Sequence, residues 1–152
     1  MTTATVRLWG TDIGYVSMGP DERFARFEFD PAFAQMGIEP APLVMPVRAG
    51  HIYQFRELPP RAFHGLPGML ADSLPDKYGN RLIDIWLAET GRSPERFNAV
   101  DRLCCAGRRG MGALEFEPAA SPGEGEGRSL EVAQLVELAA LAFAEKEALH
   151  TR

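Results

Sequence analysis

Residues 6–29 read VRLWGTDIGYVSMGPDERFARFEF, and the fold is best approached from this stretch. Apolar and polar residues alternate at its beginning, a turn containing Gly and Asp is expected at 10–14, and a second short strand follows. Alternation on both sides of such a turn is typical of a β-hairpin. Residues 23–29 then predict a third antiparallel strand, with Phe27 and Phe29 on one face. The chain is therefore expected to begin with a small antiparallel sheet.

Short helices are expected downstream, because prolines and glycines interrupt every longer run between residues 37 and 75. Asp30 should cap a helix over 31–36. A longer helix should begin after a cap at Asp76 and end at Gly91. Apolar residues follow helical spacing along it, and we interpret the tryptophan among them as a core residue. These residues are Tyr78, Leu82, Ile85, Trp86 and Leu87.

The sequence divides into three segments. Residues 1–118 form the expected domain, which a returning strand at 113–117 completes. Residues 119–128 contain Gly, Pro and Glu without an apolar residue large enough to anchor them, which is typical of a flexible linker. Residues 129–152 have an apolar stripe and a basic end, which predict an amphipathic helix. The expected fold class is α+β, a small antiparallel sheet with packed helices plus this C-terminal helix.

Charge and cysteine content limit the possible functions. The net charge is −5, from 16 basic and 21 acidic residues, which disfavours direct binding to nucleic acid. No apolar run reaches the roughly 20 residues of a membrane span, and no signal peptide is evident. The only cysteines, Cys104 and Cys105, are adjacent, and no nearby His completes a zinc site. We expect a cytoplasmic protein that binds no membrane, metal or cofactor.

Three motifs in order carry a resemblance to a known family. Residues 66–82, LPGMLADSLPDKYGNRL, resemble the N-terminal region of HipA-type serine/threonine kinase toxins, where an apolar segment with Leu-Pro-Asp leads into an Arg-rich helix. Residues 101–114 are similar to that family's helix, glycine-rich turn and Gly-Ala-Leu strand. Residues 27–30, FEFD, resemble its strand end. The resemblance covers roughly residues 4–118.

This resemblance implies an antiparallel α+β module that precedes a kinase fold. In such bacterial toxin–antitoxin systems, which are associated with persistence, the kinase is the toxin, modifies a translation factor and is neutralised by a small helix-turn-helix protein. Some relatives encode the N-terminal module as a separate protein that binds and restrains the kinase. The implied partners are a HipA-like kinase core, in the same chain or a separate one, and a helix-turn-helix antitoxin. The present 152 residues depart from the family because they contain no kinase core.

Phosphoryl transfer is not expected from this chain. A kinase requires a phosphate-covering loop, a lysine on a strand, a catalytic Asp and metal-binding residues at defined spacing. Asp76 and Asn80 lie four positions apart, whereas the usual kinase loop places such residues five apart. The Asp-Ile-Gly at 12–14 lies at a predicted hairpin turn, ahead of any catalytic loop. We therefore expect a regulatory or docking module and no enzyme.

Candidate partner-contact residues surround the start of the longer helix. Tyr78 is the main one, since an exposed aromatic residue is a common anchor of protein interfaces. The full set is Leu74, Pro75, Asp76, Tyr78 and Arg81.

A different class of function is possible at the glycine-rich segment 107–112. Arg108 and Arg109 could contact an anion together with exposed backbone N–H groups, as in a small anion- or nucleotide-binding domain or enzyme. No Lys-Ser/Thr follows, so the segment is not a P-loop. The competing interpretation is a turn in which glycines supply positive φ and the arginines pair with Asp101 or solvent.

Overall fold

The computed structural model describes residues 1–108 and 112–118. The strands are β1 (Thr2–Leu8), β2 (Thr11–Met18), β3 (Arg26–Phe29), β4 (Ile52–Tyr53) and β5 (Leu114–Glu117). The helices are α1 (Pro31–Ala34), α2 (Pro60–Phe63), α3 (Gly68–Ala71), α4 (Lys77–Glu89) and α5 (Ala99–Ala106), and a 3-10 turn covers Pro94–Arg96. Arg109, the expected linker 119–128 and the expected helix 129–152 lie outside the described residues.

The five strands form one antiparallel sheet in the order β4-β3-β2-β1-β5. β1 and β2 form the expected hairpin, and β3 follows as the third strand. The returning strand β5 pairs with the free side of β1, so that Thr5 lies opposite Glu117 and Leu8 lies opposite Leu114. The predicted α+β class is confirmed by this sheet and its helices.

Two residues, Trp9 and Gly10, connect β1 to β2. Both have positive φ, 50° and 78° respectively, and the flanking Leu8 and Thr11 are paired. Positive φ at both central residues is the pattern of a type I′ turn, whose twist matches that of the strands. The longer turn predicted at 10–14 is wrong in its extent, because residues from Thr11 onward already belong to β2.

The core lies on one face of the sheet. Phe27 and Phe29 are fully buried there, and their rings meet edge to face with centroids 4.9 Å apart. Burying each such ring contributes roughly 1.5–3 kcal/mol. Helix α5 covers this face and adds buried residues of its own, Val100, Leu103 and Cys104. The other fully buried strand residues are Ala4, Val6, Ile13, Val16 and Phe116.

Gly65 joins the segment after α2 to the beginning of β3. Its carbonyl accepts a hydrogen bond of 2.8 Å from the backbone N–H of Ala25. Its φ is +78°, and a Cβ at this position would lie 2.1 Å from the carbonyl oxygen of Arg23. Only glycine fits this backbone conformation at this distance.

Candidate partner-binding site

The five residues expected to contact a partner lie together around the beginning of α4. Leu74 and Pro75 are half-buried, whereas Asp76 and Arg81 are exposed. Tyr78 is 42% exposed, which agrees with its expected position at the surface. Their role in binding stays a prediction.

Asp76 caps α4, as the sequence indicated. Its Oδ1 accepts a hydrogen bond of 2.7 Å from the backbone N–H of Gly79. A Cβ on Gly79 would lie 2.9 Å from the Cβ of Pro75, so the first helical turn packs closely on that proline. Since a side-chain cap of this kind is worth about 1 kcal/mol, the start of α4 is well defined.

Arg102 of α5 holds α4 through two polar side chains. Its Nη1 donates to Oδ1 of Asn80 at 2.8 Å, and its Nη2 donates to Oδ1 of Asp84 at 2.8 Å. The amide nitrogen of Asn80 in turn donates to the carbonyl oxygens of Pro75 at 2.7 Å and Asp76 at 3.1 Å. We call Arg102, Asn80 and Asp84 the Arg102 clamp. The clamp could not be predicted from the sequence, because no local pattern links residues so far apart in the chain.

The clamp marks the inner face of α4, where Ile83 and Leu87 are buried. With 3.6 residues per turn, Tyr78, Leu82 and Ile85 fall on the opposite side of the helix. Leu82 and Ile85 are only partly buried, and Tyr78 is exposed. We call these three residues the outer stripe. Helix α4 is therefore apolar on two sides, and only one of them faces α5.

The expectation that Trp86 is a core residue is wrong. Its side chain on α4 is half-buried, and its ring lies edge-on to that of Phe97 with centroids 6.2 Å apart. The guanidinium carbon of Arg92 lies 5.3 Å from the centroid of the Trp86 ring. Ile83 was not predicted to be buried, although its spacing of four from Leu87 was an available signal.

Arg108, the described member of the possible anion site, already has acidic partners. Its Nη2 lies 2.9 Å from Oε1 of Glu117, and its Nε lies 3.6 Å from Oε2 of Glu115. Arg108 therefore pairs with neither Asp101 nor solvent alone, the two partners considered for the turn. Asp101 instead forms a capping box with Asn98 at the start of α5, and Arg109 lies outside the described residues. Arg108 is thus an exposed arginine with two carboxylates beside it, and an anion would have to compete with them for its guanidinium.

The two cysteines lie on α5 as free thiols. Burial raises the pKa of Cys104 to about 11 and that of Cys105 to about 12. Thiols with such pKa values are neutral at physiological pH and therefore poorly nucleophilic. Within residues 1–108 and 112–118, no group of three His, Cys, Asp or Glu side chains could hold a metal ion. No helix in the same part of the chain is long and apolar enough to cross a membrane.

Comparison with known proteins agrees with the resemblance noted in the sequence. A family model described as the HipA N-terminal domain matches residues 4–117, which include β1 from Ala4 onward, the other four strands of the sheet and the five helices of the described residues. A search of curated proteins finds no match. The matched region also contains the segment 74–81 and the whole of the Arg102 clamp, so the candidate site lies within the family's own domain and not in an appended part. The chain belongs to the HipA N-terminal domain family.

Proposed function

We propose that this chain is a non-catalytic docking and regulatory module of a HipA-like toxin–antitoxin system. Its partner is a HipA-like kinase core, in the same chain or a separate one, and it binds through the outer stripe and the adjoining segment 74–81. Membership in the HipA N-terminal domain family supports the toxin-module context. The observation that carries the docking role is the second apolar side of α4, which the rest of the described domain leaves partly exposed.

The outer stripe has the composition of a helix that docks into a groove. Tyr78, Leu82 and Ile85 follow the i, i+4, i+7 spacing by which one helical face supplies its anchors. Aromatic residues are enriched among the contacts that contribute most to binding. Lys77 and Arg81 add exposed basic groups beside the stripe. An apolar centre with a charged rim is the usual anatomy of a protein interface.

The Arg102 clamp prepares this surface for binding. It fixes α4 against α5 through Asn80 and Asp84, so the stripe keeps one orientation before a partner arrives. A preorganised surface loses less conformational entropy on association and therefore binds more tightly. The clamp acts through α4 and is not itself proposed to touch the kinase.

The same contacts support a non-catalytic role. Asp76 and Asn80 are the pair that most resembles the residues of a kinase catalytic loop. Oδ1 of Asp76 caps α4. The side-chain amide of Asn80 accepts a hydrogen bond from Arg102 and donates to two backbone carbonyl oxygens. The hydrogen bonds of both side chains therefore stabilise the fold, which explains these two residues without a catalytic role.

A helix-turn-helix antitoxin is the second proposed partner, and any contact with DNA would be made by that partner. The net charge of −5 supports this division of roles, since direct phosphate binding requires a basic surplus. The docking proposal is preferred to the anion-binding alternative because Glu115 and Glu117 already pair with Arg108. Adding ATP and magnesium should accordingly leave the melting temperature of the isolated chain unchanged.

The docking proposal is tested with a cognate kinase core that lacks this region. Isothermal titration calorimetry of the full 152-residue chain into that core should show a stoichiometric complex, and kinase autophosphorylation should change on addition of the chain. Ile85→Asp should weaken binding by about 100-fold or more, because it replaces one of the three apolar anchors of the stripe with a charge. Ala88→Asp introduces the same charge at an exposed position off the stripe and should change affinity by less than about threefold.

Circular dichroism and melting curves of both variants establish that each remains folded. Failure to form a complex, or equal weakening by Ile85→Asp and Ala88→Asp, would contradict the proposal.

A further inference from the structure

Trp9 is not explained by the folding of the domain. Its side chain is 82% exposed, so it adds almost nothing to the core. Its φ of 50° lies in the left-handed region, which bulky side chains adopt unfavourably. A type I′ turn favours Asn or Gly at this position, next to Gly10. A large aromatic residue that serves neither packing nor turn geometry, and is presented to solvent at the tip of a hairpin, is typical of an interface anchor.

The turn borders an open cleft of about 500 Å³. Its lining includes one exposed apolar residue, Met36, which is 54% exposed, next to Phe33 of α1, which is buried in the core. The lining also contains Asp12 and Asp30. The cleft thus combines apolar surface with negative charge next to an exposed indole ring.

The charge of the cleft favours a cation. Arg7 is its only basic lining residue in the described part of the chain, and it pairs with Asp12 and, at 2.9 Å, with Glu117. Asp30 accepts hydrogen bonds from backbone N–H groups and from the hydroxyl of Tyr15 at 3.1 Å. These donors are neutral, so the negative charge of Asp30 is not cancelled by them. The cleft is therefore acidic, because its two carboxylates, Asp12 and Asp30, face a single guanidinium, and that guanidinium also pairs with Glu117.

We propose that Trp9 and this cleft form a second docking surface, which binds a partner-protein segment carrying an arginine or lysine next to an apolar residue. The cation is attracted by the two carboxylates and by the face of the indole ring, since tryptophan is the best aromatic partner for a cation. The apolar neighbour covers Met36, the exposed apolar residue of the lining. This surface uses no residue of α4 and is independent of the kinase-docking proposal.

The test is a selection of random dodecapeptides displayed on phage against the full, immobilised chain, followed by fluorescence polarisation with the selected peptides. The selected peptides should be enriched in Arg or Lys beside an apolar residue. Trp9→Asn should weaken their binding by about tenfold or more. The same substitution should raise the Tm by about 2–5 °C, because Asn adopts the left-handed conformation readily. Loss of binding together with a gain in stability excludes misfolding as the cause.

Two further variants locate the effect. Asp30→Asn keeps the cap of α1 while removing one charge, so it should weaken binding severalfold and reduce its dependence on salt. Val44→Asn removes an apolar side chain that is 68% exposed elsewhere on the surface, and it should leave binding unchanged. The proposal is overturned if no peptide is selected, if the selected peptides show no basic enrichment, or if Trp9→Asn binds them as tightly as the unchanged chain.

Discussion

Removing the side chain of Arg102 should loosen α4 while leaving the sheet intact. In Arg102→Ala, Asn80 and Asp84 lose the donor that ties α4 to α5. The remaining contacts of α4 with the domain are mainly those of Ile83, Leu87 and the 3-10 turn. The helix should therefore open more often than the strands beneath it.

The size of this effect follows from the three contacts of the guanidinium. The partly buried hydrogen bond to Asn80 has a charged donor and is worth about 1.5 kcal/mol. Asp84 is 49% exposed, so solvent screens that ion pair to about 0.5 kcal/mol. The ring centroid of Phe97 lies 6.0 Å from the guanidinium carbon and adds about 0.5 kcal/mol. Together these contacts predict a loss of about 2–2.5 kcal/mol.

Urea denaturation followed by circular dichroism measures this loss. The matched control is Arg96→Ala, which removes an exposed arginine nearby and should cost no more than about 0.5 kcal/mol. Native-state hydrogen exchange should show faster exchange of the α4 amides, with little change in β1 and β2. The reasoning is refuted if Arg102→Ala costs no more than Arg96→Ala, or if the α4 amides keep their protection.

Two other predictions concern the packed interior. Gly65→Ala should destabilise the domain by about 3 kcal/mol or more, because the added Cβ would collide with the carbonyl oxygen of Arg23. Gly37→Ala is the control: its φ is +69° but the space around it is open, so the substitution should cost only about 1 kcal/mol. Equal urea midpoints for the two variants would contradict this prediction. Burial raises the pKa of the Cys104 and Cys105 thiols above their ordinary value of 9.0. As the pH rises, the unfolded chain therefore loses these protons before the folded chain does. The free energy of unfolding should fall as the pH rises from about 9 towards 11–12. Cys105→Ala should make the decline of the unfolding free energy with pH shallower, as measured by urea denaturation across this pH range. An unchanged decline in the variant would count against the buried thiols as its cause.

Much of the sheet was predictable because its signals are local. Alternation around the hairpin, the paired Phe27 and Phe29, and the cap at Asp30 each depend on residues close in sequence, and each is confirmed. The turn was predicted too long because tryptophan is an unusual residue in the left-handed conformation. Nothing in the sequence indicated that Trp9 would occupy it.

The orientation of α4 could not be predicted from its periodicity. The helix has apolar residues on two sides, and helical spacing does not say which side faces the domain. The answer depends on Arg102, whose contacts with Asn80 and Asp84 cross from one helix to another. The partners of Arg108 were missed for a similar reason, since Glu115 and Glu117 become its neighbours only when β5 returns to β1.

The pairing of β5 with β1 brings the two ends of the described domain, residues 1 and 118, to the same edge of the sheet. Thr5 lies opposite Glu117, so Met1 and Pro118 are separated by only a few residues' length of strand, roughly 10 Å. Additional polypeptide on either side would depart from neighbouring points without crossing the hydrophobic interior. Such a domain can be fused into a larger protein or made on its own with the same internal architecture, and under the docking proposal the outer stripe would meet a kinase in the same geometry either way.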